Sequence, residues 1–201
     1  MRLFYALYFR LSRKHTYKTF AIIDLLEEGA DVESYLSKIR AAIDLIEAYD
    51  PKRYRRICQD IPTIRIGSNN DVRGLWVEIA RTCEMGKLFL ASADATPTTV
   101  ASSIVYTGVQ ARVYKMRVRR VSGVDLRVTN LAVRQQRDFL RLLPPEQASK
   151  SLAGTEWQLA QKGDYWSDEA LYAHKISGIT QLGFPVWLAK AIVWAFGRRA
   201  T

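Results

Sequence analysis

A mixed α+β fold is what this chain predicts, and three observations carry the prediction. Apolar residues recur at helical spacing over 35–46, as Tyr35, Leu36, Ile39, Ala42, Ile43 and Ile46. Short β-branched and aromatic runs separated by turn residues fill 63–90. Two further helical stretches follow, one opened by Thr96-Pro97 and one after Gly123.

The first twenty residues interleave Leu3, Phe4, Tyr5, Leu7, Tyr8, Phe9 and Leu11 with Arg2, Arg10, Arg13, Lys14 and Lys18. A secretory signal needs an unbroken apolar run and a small-residue cleavage site. Arg10 interrupts the run, and Ser12-Arg13-Lys14-His15 stands where the site belongs. The run is also too short to span a bilayer. An amphipathic terminal helix is expected, docked on the core or lying in a membrane interface.

Asp31 is placed to cap a helix reaching Tyr49, whose apolar side is core packing, and Pro51 prevents its continuation. The basic cluster Lys52-Arg53-Tyr54-Arg55-Arg56 comes next. Thr63-Ile64-Arg65-Ile66, the turn Gly67-Ser68-Asn69-Asn70-Asp71, Leu75–Ile79 and Lys87-Leu88-Phe89-Leu90 then predict a small antiparallel sheet.

Thr96 as N-cap and Pro97 at the first helical position open a central helix reaching about residue 116. Thr99, Ser103, Tyr106, Thr107, Gln110 and Tyr114 read as one polar stripe on it, and Val100, Ile104, Val105, Gly108 and Ala111 as its apolar side. Glycine is costly inside a helix, so Gly108 implies a close neighbour. The second helix runs from Val124 to Leu143, where Pro144-Pro145 stops it. Ser167 with Asp168 and Glu169 opens another. The last covers Val186 to Phe196, with Gly197-Arg198-Arg199 at its end. With Lys190 in its middle it is too short for a bilayer span, but its tryptophans suit a membrane interface or a docked partner. The organisation expected is an N-terminal helical segment (1–50), a core (51–145) and a C-terminal helical extension (146–201), together one compact domain.

Two cysteines make no disulfide framework, so a reduced, cytoplasmic setting is the expectation. The net charge of +10 favours an anionic partner, whether a membrane surface or nucleic acid. It is concentrated in a patch of Arg112, Lys115, Arg117, Arg119, Arg120, Arg127 and Arg134, continued by Arg137 and Arg141. No helix-turn-helix, zinc-finger or RNA-recognition signature accompanies it, which disfavours sequence-specific reading of nucleic acid. The only histidines, His15 and His174, are far apart, and Cys58 and Cys83 lack metal-ligand spacing, so no metal or cofactor is expected.

The central helix carries one further pattern. Val100-Ala-Ser-Ser-Ile-Val-Tyr-Thr-Gly-Val-Gln-Ala-Arg112 resembles the active-site helix of a small bacterial zincin-like family of zinc metallopeptidases, whose core reads roughly (V/I)ASxIVHEATHAR(L/V). Val100, Ala101, Ser102, Ile104, Val105, Ala111 and Arg112 fit that frame. In such a helix, HExxH places two imidazoles one turn apart on a zinc ion, with the glutamate as general base. Here those positions read Tyr106-Thr107-x-x-Gln110. The family's third ligand, a glutamate in an R-V-E-type helix, corresponds to Thr129 of Arg127-Val128-Thr129. The resemblance, spanning about 54–145, therefore implies a zincin-like helix pair preceded by a sheet, without ligands or base. Tyr106, Gln110 and Thr129 would form a hydrogen-bonded cluster in place of the metal centre, leaving no catalytic residue.

The leading expectation is a catalytically inactive, metallopeptidase-like binding or structural module. A basic peripheral membrane or nucleic-acid-binding protein is the second. A hydrolase with an unrecognised site is the third, although no G-x-S-x-G or Ser–His–Asp pattern is visible.

Overall fold

The computed structural model describes residues 12–24, 32–67, 72–77, 80–116, 124–160, 176, 180 and 185–197. The expectations for residues 2–11, for a helix at Ser167 and for His174 lie outside them. The fold is α+β, as expected, but the sheet is mixed rather than antiparallel.

The N-terminal region supplies a hairpin where a helix was expected. Strands β1 (Arg13–Tyr17) and β2 (Phe20–Asp24) pair antiparallel through a two-residue loop, Lys18-Thr19. Lys18 adopts φ 52°, a left-handed conformation of the kind tight hairpin turns demand. Its ammonium is held by Asp44 and Glu47 of the following helix, and the Tyr17 hydroxyl donates to Asp44 at 2.7 Å. Burial pushes the Asp44 carboxyl up, but Lys18 and Tyr17 together hold it below its ordinary range. The Tyr17 phenol and the Lys18 ammonium are both raised by their bonds to it.

Helix α1 (Val32–Tyr49) buries Tyr35, Leu36, Ile39, Ala42, Ile43 and Ile46, the positions its periodicity marks out. Pro51 ends α1 and also starts α2 (Pro51–Asp60) at the first helical position, where its missing N–H is no loss. The Asp50 carboxylate caps α2, accepting from the Arg53 backbone N–H at 2.9 Å.

The chain then enters β3 (Thr63–Ile66), parallel to β2. It next forms the outer strand β4 (Leu75–Val77) and returns through β5 (Thr82–Met85), parallel to β3 and antiparallel to β4. The strand order is β1-β2-β3-β5-β4. Ile22, Ile64, Ile66, Cys83 and Met85 share one face by register and belong to a single core with α1, α2 and the central helix. The opposite face carries the cross-strand ion pair Arg65–Glu84.

Lys87-Leu88-Phe89-Leu90, expected as a strand, is a short helix, α3 (Lys87–Ala91). A brief apolar run has no period to distinguish the two states. Helix α4 (Pro97–Lys115) is the axis of the fold, and Thr96 caps it by accepting from Thr99 N–H at 3.2 Å. Helix α5 (Val124–Leu140) packs along it. It ends three residues earlier than expected, and Pro144-Pro145 starts another helix, α6 (Pro145–Ala160). Helix α7 (Val186–Gly197) matches its expectation and exposes Trp187 and Trp194 at 70% and 57% while burying Ala189. No described helix is long and apolar enough to cross a membrane.

Candidate functional site

The central helix has no single apolar side. Thr98, Ser102, Ser103 and Thr107 are buried along with Val100, Ala101, Ile104, Val105, Gly108 and Ala111. A helix enclosed by α1, α2, α5, α6 and β4 must satisfy its small hydroxyls locally. Ser103 Oγ donates to the Thr99 carbonyl and Thr107 Oγ1 to the Ser103 carbonyl, both at 2.9 Å. The polar stripe expected from sequence is therefore divided, with part of it absorbed into the helix itself.

The remaining part meets two neighbours. Tyr106, Gln110 and Thr129 come together where α4, α5 and β4 adjoin. Gln110 Nε2 donates to the Tyr106 hydroxyl at 3.3 Å, and the Trp76 backbone N–H of β4 donates to Gln110 Oε1 at 3.4 Å. Burial raises the Tyr106 phenol, while a hydrogen bond with the Thr129 side chain acts in the opposite direction and the proximity of Tyr114 raises it further. The net direction is upward, so Tyr106 is a neutral phenol at physiological pH.

Thr107 does not join them. It is 0% exposed, points towards the Cys83 thiol and lies under Gly74. A Cβ on Gly74 would stand 2.9 Å from Thr107 Oγ1 and 3.0 Å from the Ser103 carbonyl oxygen. Only a residue without a side chain lets the chain cross α4 this closely on its way into β4. Gly108 is also close to a neighbour on the other side, but there a Cβ would meet a side chain and not backbone, Ile57 Cγ1 of α2 at 3.0 Å. Burial pushes the Cys83 thiol up to about 12, with Thr107 opposing weakly, so it stays protonated and unreactive.

Two links unforeseen from sequence hold the helices in register. Gln136 of α5 donates to both the carbonyl and the hydroxyl of Ser102, at 3.1 and 3.0 Å. Asp60, 6% exposed at the end of α2, accepts from Arg112 at 2.9 Å and Lys115 at 3.3 Å. Arg112 thus clamps α4 to the end of α2, and Arg112 and Lys115 are paired with an acid and are not free cations of the patch. Arg127 and Arg134 are exposed, and Arg117, Arg119 and Arg120 lie outside the described residues.

A phenol, an amide and a hydroxyl do not fit a catalytic zinc ion, which takes imidazole, thiolate or carboxylate donors. Among the described residues no group of three or more His, Cys, Asp or Glu side chains is placed to hold a metal ion. What the arrangement does chemically is donate and accept neutral hydrogen bonds, with Gln110 joining the outer strand to the helix pair. Compared with protein-family models, curated proteins and solved structures, the chain finds no match in any of the three.

Proposed function

We propose that this protein is a catalytically inactive, metallopeptidase-like module that acts by binding or by scaffolding. One observation carries the reading. The three positions at which the resembled family places its metal ligands, 106, 110 and 129, adjoin one another here across paired helices, and they hold a mutually hydrogen-bonded phenol, amide and hydroxyl. The order of a sheet followed by this helix pair also suits the resemblance. Without a metal there is neither an activated water nor a Lewis acid at this position.

The test restores the ligands. Thr107→Glu is left out, because a longer side chain has no room beneath Gly74. The triple variant Tyr106→His, Gln110→His, Thr129→Glu is expected to fold and bind zinc by calorimetric titration, while the wild-type protein holds no stoichiometric zinc by elemental analysis. One zinc per wild-type chain would overturn the inactive-module reading. A folded triple variant without zinc affinity would remove the family resemblance from which it starts.

A further inference from the structure

We propose that the outer surface formed by α2 and α5 binds the phosphate backbone of nucleic acid without regard to sequence. Charge balance is the starting point. The described acidic side chains in this region are engaged: Asp50 pairs with Arg53 at 2.6 Å, Asp60 holds Arg112 and Lys115, and Asp138 pairs with Arg137 at 3.0 Å. Lys52, Arg55 and Arg56 of α2 and Arg127 and Arg134 of α5 are exposed, and none has an acidic partner among the described residues. Among the described residues the surface therefore presents five cations with no acidic partner, four of them guanidinium groups.

Their arrangement is as informative as their sign. Arg53 of α2 donates to Gln135 of α5 at 3.1 Å, so a side-chain bridge joins the two helices, each of which packs on α4. Arg56 is one turn from that bridge on α2, and Arg134 is next to it on α5. Arg127 lies seven residues before Arg134, about 10 Å along the axis at the usual helical rise. Because α4 and α5 run antiparallel, with Ser102 against Gln136 and Tyr106 against Thr129, Arg127 lies just beyond Thr129 towards the C-terminal half of α4. The cations thus form two rows flanking a shared axis, rather than one isolated cluster.

The chemistry favours phosphate on a polymer over a lipid surface. Guanidinium forks match phosphate oxygens two at a time, and Arg outnumbers Lys four to one among these exposed groups. A membrane-binding face also needs apolar side chains to insert beside the cations. On α2 the exposed side chains accompanying these cations are Pro51 and Gln59, and among the described side chains of α5 only Leu131, 46% exposed, interrupts the row. Of the exposed tryptophans, Trp187 and Trp194 belong to α7 and Trp157 to α6, so none lies on α2 or α5.

The experiment is fluorescence anisotropy of the full chain with labelled 20-nucleotide single-stranded RNA and 20-base-pair DNA of unrelated sequences, between 25 and 300 mM salt. Micromolar binding that weakens with salt and ignores sequence is expected. The variant Arg55→Glu, Arg56→Glu, Arg127→Glu, Arg134→Glu should lose at least about tenfold at low salt, with a salt slope shallower by about 0.9 for each duplex phosphate contact removed. A control reversing Lys14, Lys87, Lys150 and Lys190 to Glu has the same net charge and should keep most of the affinity. Thermal melts confirm folding of both. Equal losses in the two variants would show that only net charge matters and would overturn the assignment. So would binding to phosphatidylserine vesicles with no nucleic-acid binding at any salt concentration.

Discussion

Replacing Gly74 by alanine tests the close crossing on which the candidate site depends. The added Cβ would stand 2.9 Å from Thr107 Oγ1, 3.0 Å from the Ser103 carbonyl oxygen and 3.2 Å from Ser103 Cβ. The carbonyl belongs to the backbone of α4, which cannot yield without disturbing the most enclosed helix of the fold. Overpacking of this kind costs about 1–3 kcal/mol. The substitution also restricts the unfolded chain, which returns about 0.4–1 kcal/mol. A net destabilisation of about 1–2 kcal/mol remains. At about 2–4 °C per kcal/mol for a chain of this size, the melting temperature should fall by roughly 2–8 °C. The shift of β4 should also lengthen the contact between Trp76 N–H and Gln110. Gly74→Ala and Gln110→Leu should therefore be less than additive in a double-mutant cycle. Calorimetry and urea titration measure both effects. An unchanged melting temperature in Gly74→Ala would refute the placement of the strand against α4, and strict additivity would refute the link through Gln110.

Gly108→Ala is expected to be close to neutral by the same methods. About 1 kcal/mol of helix propensity is gained, and the 3.0 Å contact is to a rotatable Ile57 side chain. Of the two thiols, Cys83 should resist a disulfide reagent at pH 8 until the protein unfolds, because burial holds it near 12, while half-buried Cys58 should react in the native state. Asp44→Asn should lower the urea midpoint at pH 7, and the difference should shrink progressively as pH falls below the ordinary carboxylate range. A carboxyl whose native pKa is depressed contributes above its unfolded pKa, and that contribution is lost as pH falls through the native one. A difference that stays undiminished all the way down to acid unfolding would show that the Lys18–Asp44–Tyr17 contact is not ionic in origin. Asp60→Asn should cost about 1–3 kcal/mol by weakening a buried acceptor of two cations, read as a lower melting temperature.

The prolines show why parts of this fold were legible in sequence and others were not. Pro97 stands at the start of a helix, as Thr96-Pro97 predicts. Pro51 and Pro144-Pro145 were read as stops, yet α2 and α6 begin there. Proline's lost N–H harms a helix only from its interior, so the same residue ends one helix and begins the next with no intervening loop. The clue that separates the cases at Pro51 is Asp50, whose carboxylate caps the new helix while its backbone completes the old one. Thr63–Ile66 and Leu75–Val77 are strands as expected, but β5 escaped the sequence reading for a different reason. In Thr82-Cys83-Glu84-Met85 all four side chains are buried, on alternating faces of a sheet covered on both sides there, so no polar alternation marks the segment. Glu84 lies on the second face only because Arg65 is opposite it on β3, a pairing that joins residues nineteen apart. The candidate site was legible in its helical part, because positions 106 and 110 lie one turn apart on any helix and pairing with α5 adds Thr129. Its third wall was not. Trp76 reaches Gln110 through a backbone N–H, a group every residue except proline carries, so nothing in its identity announces the contact. The trace left in the sequence is Gly74, two residues earlier, where the crossing excludes a side chain.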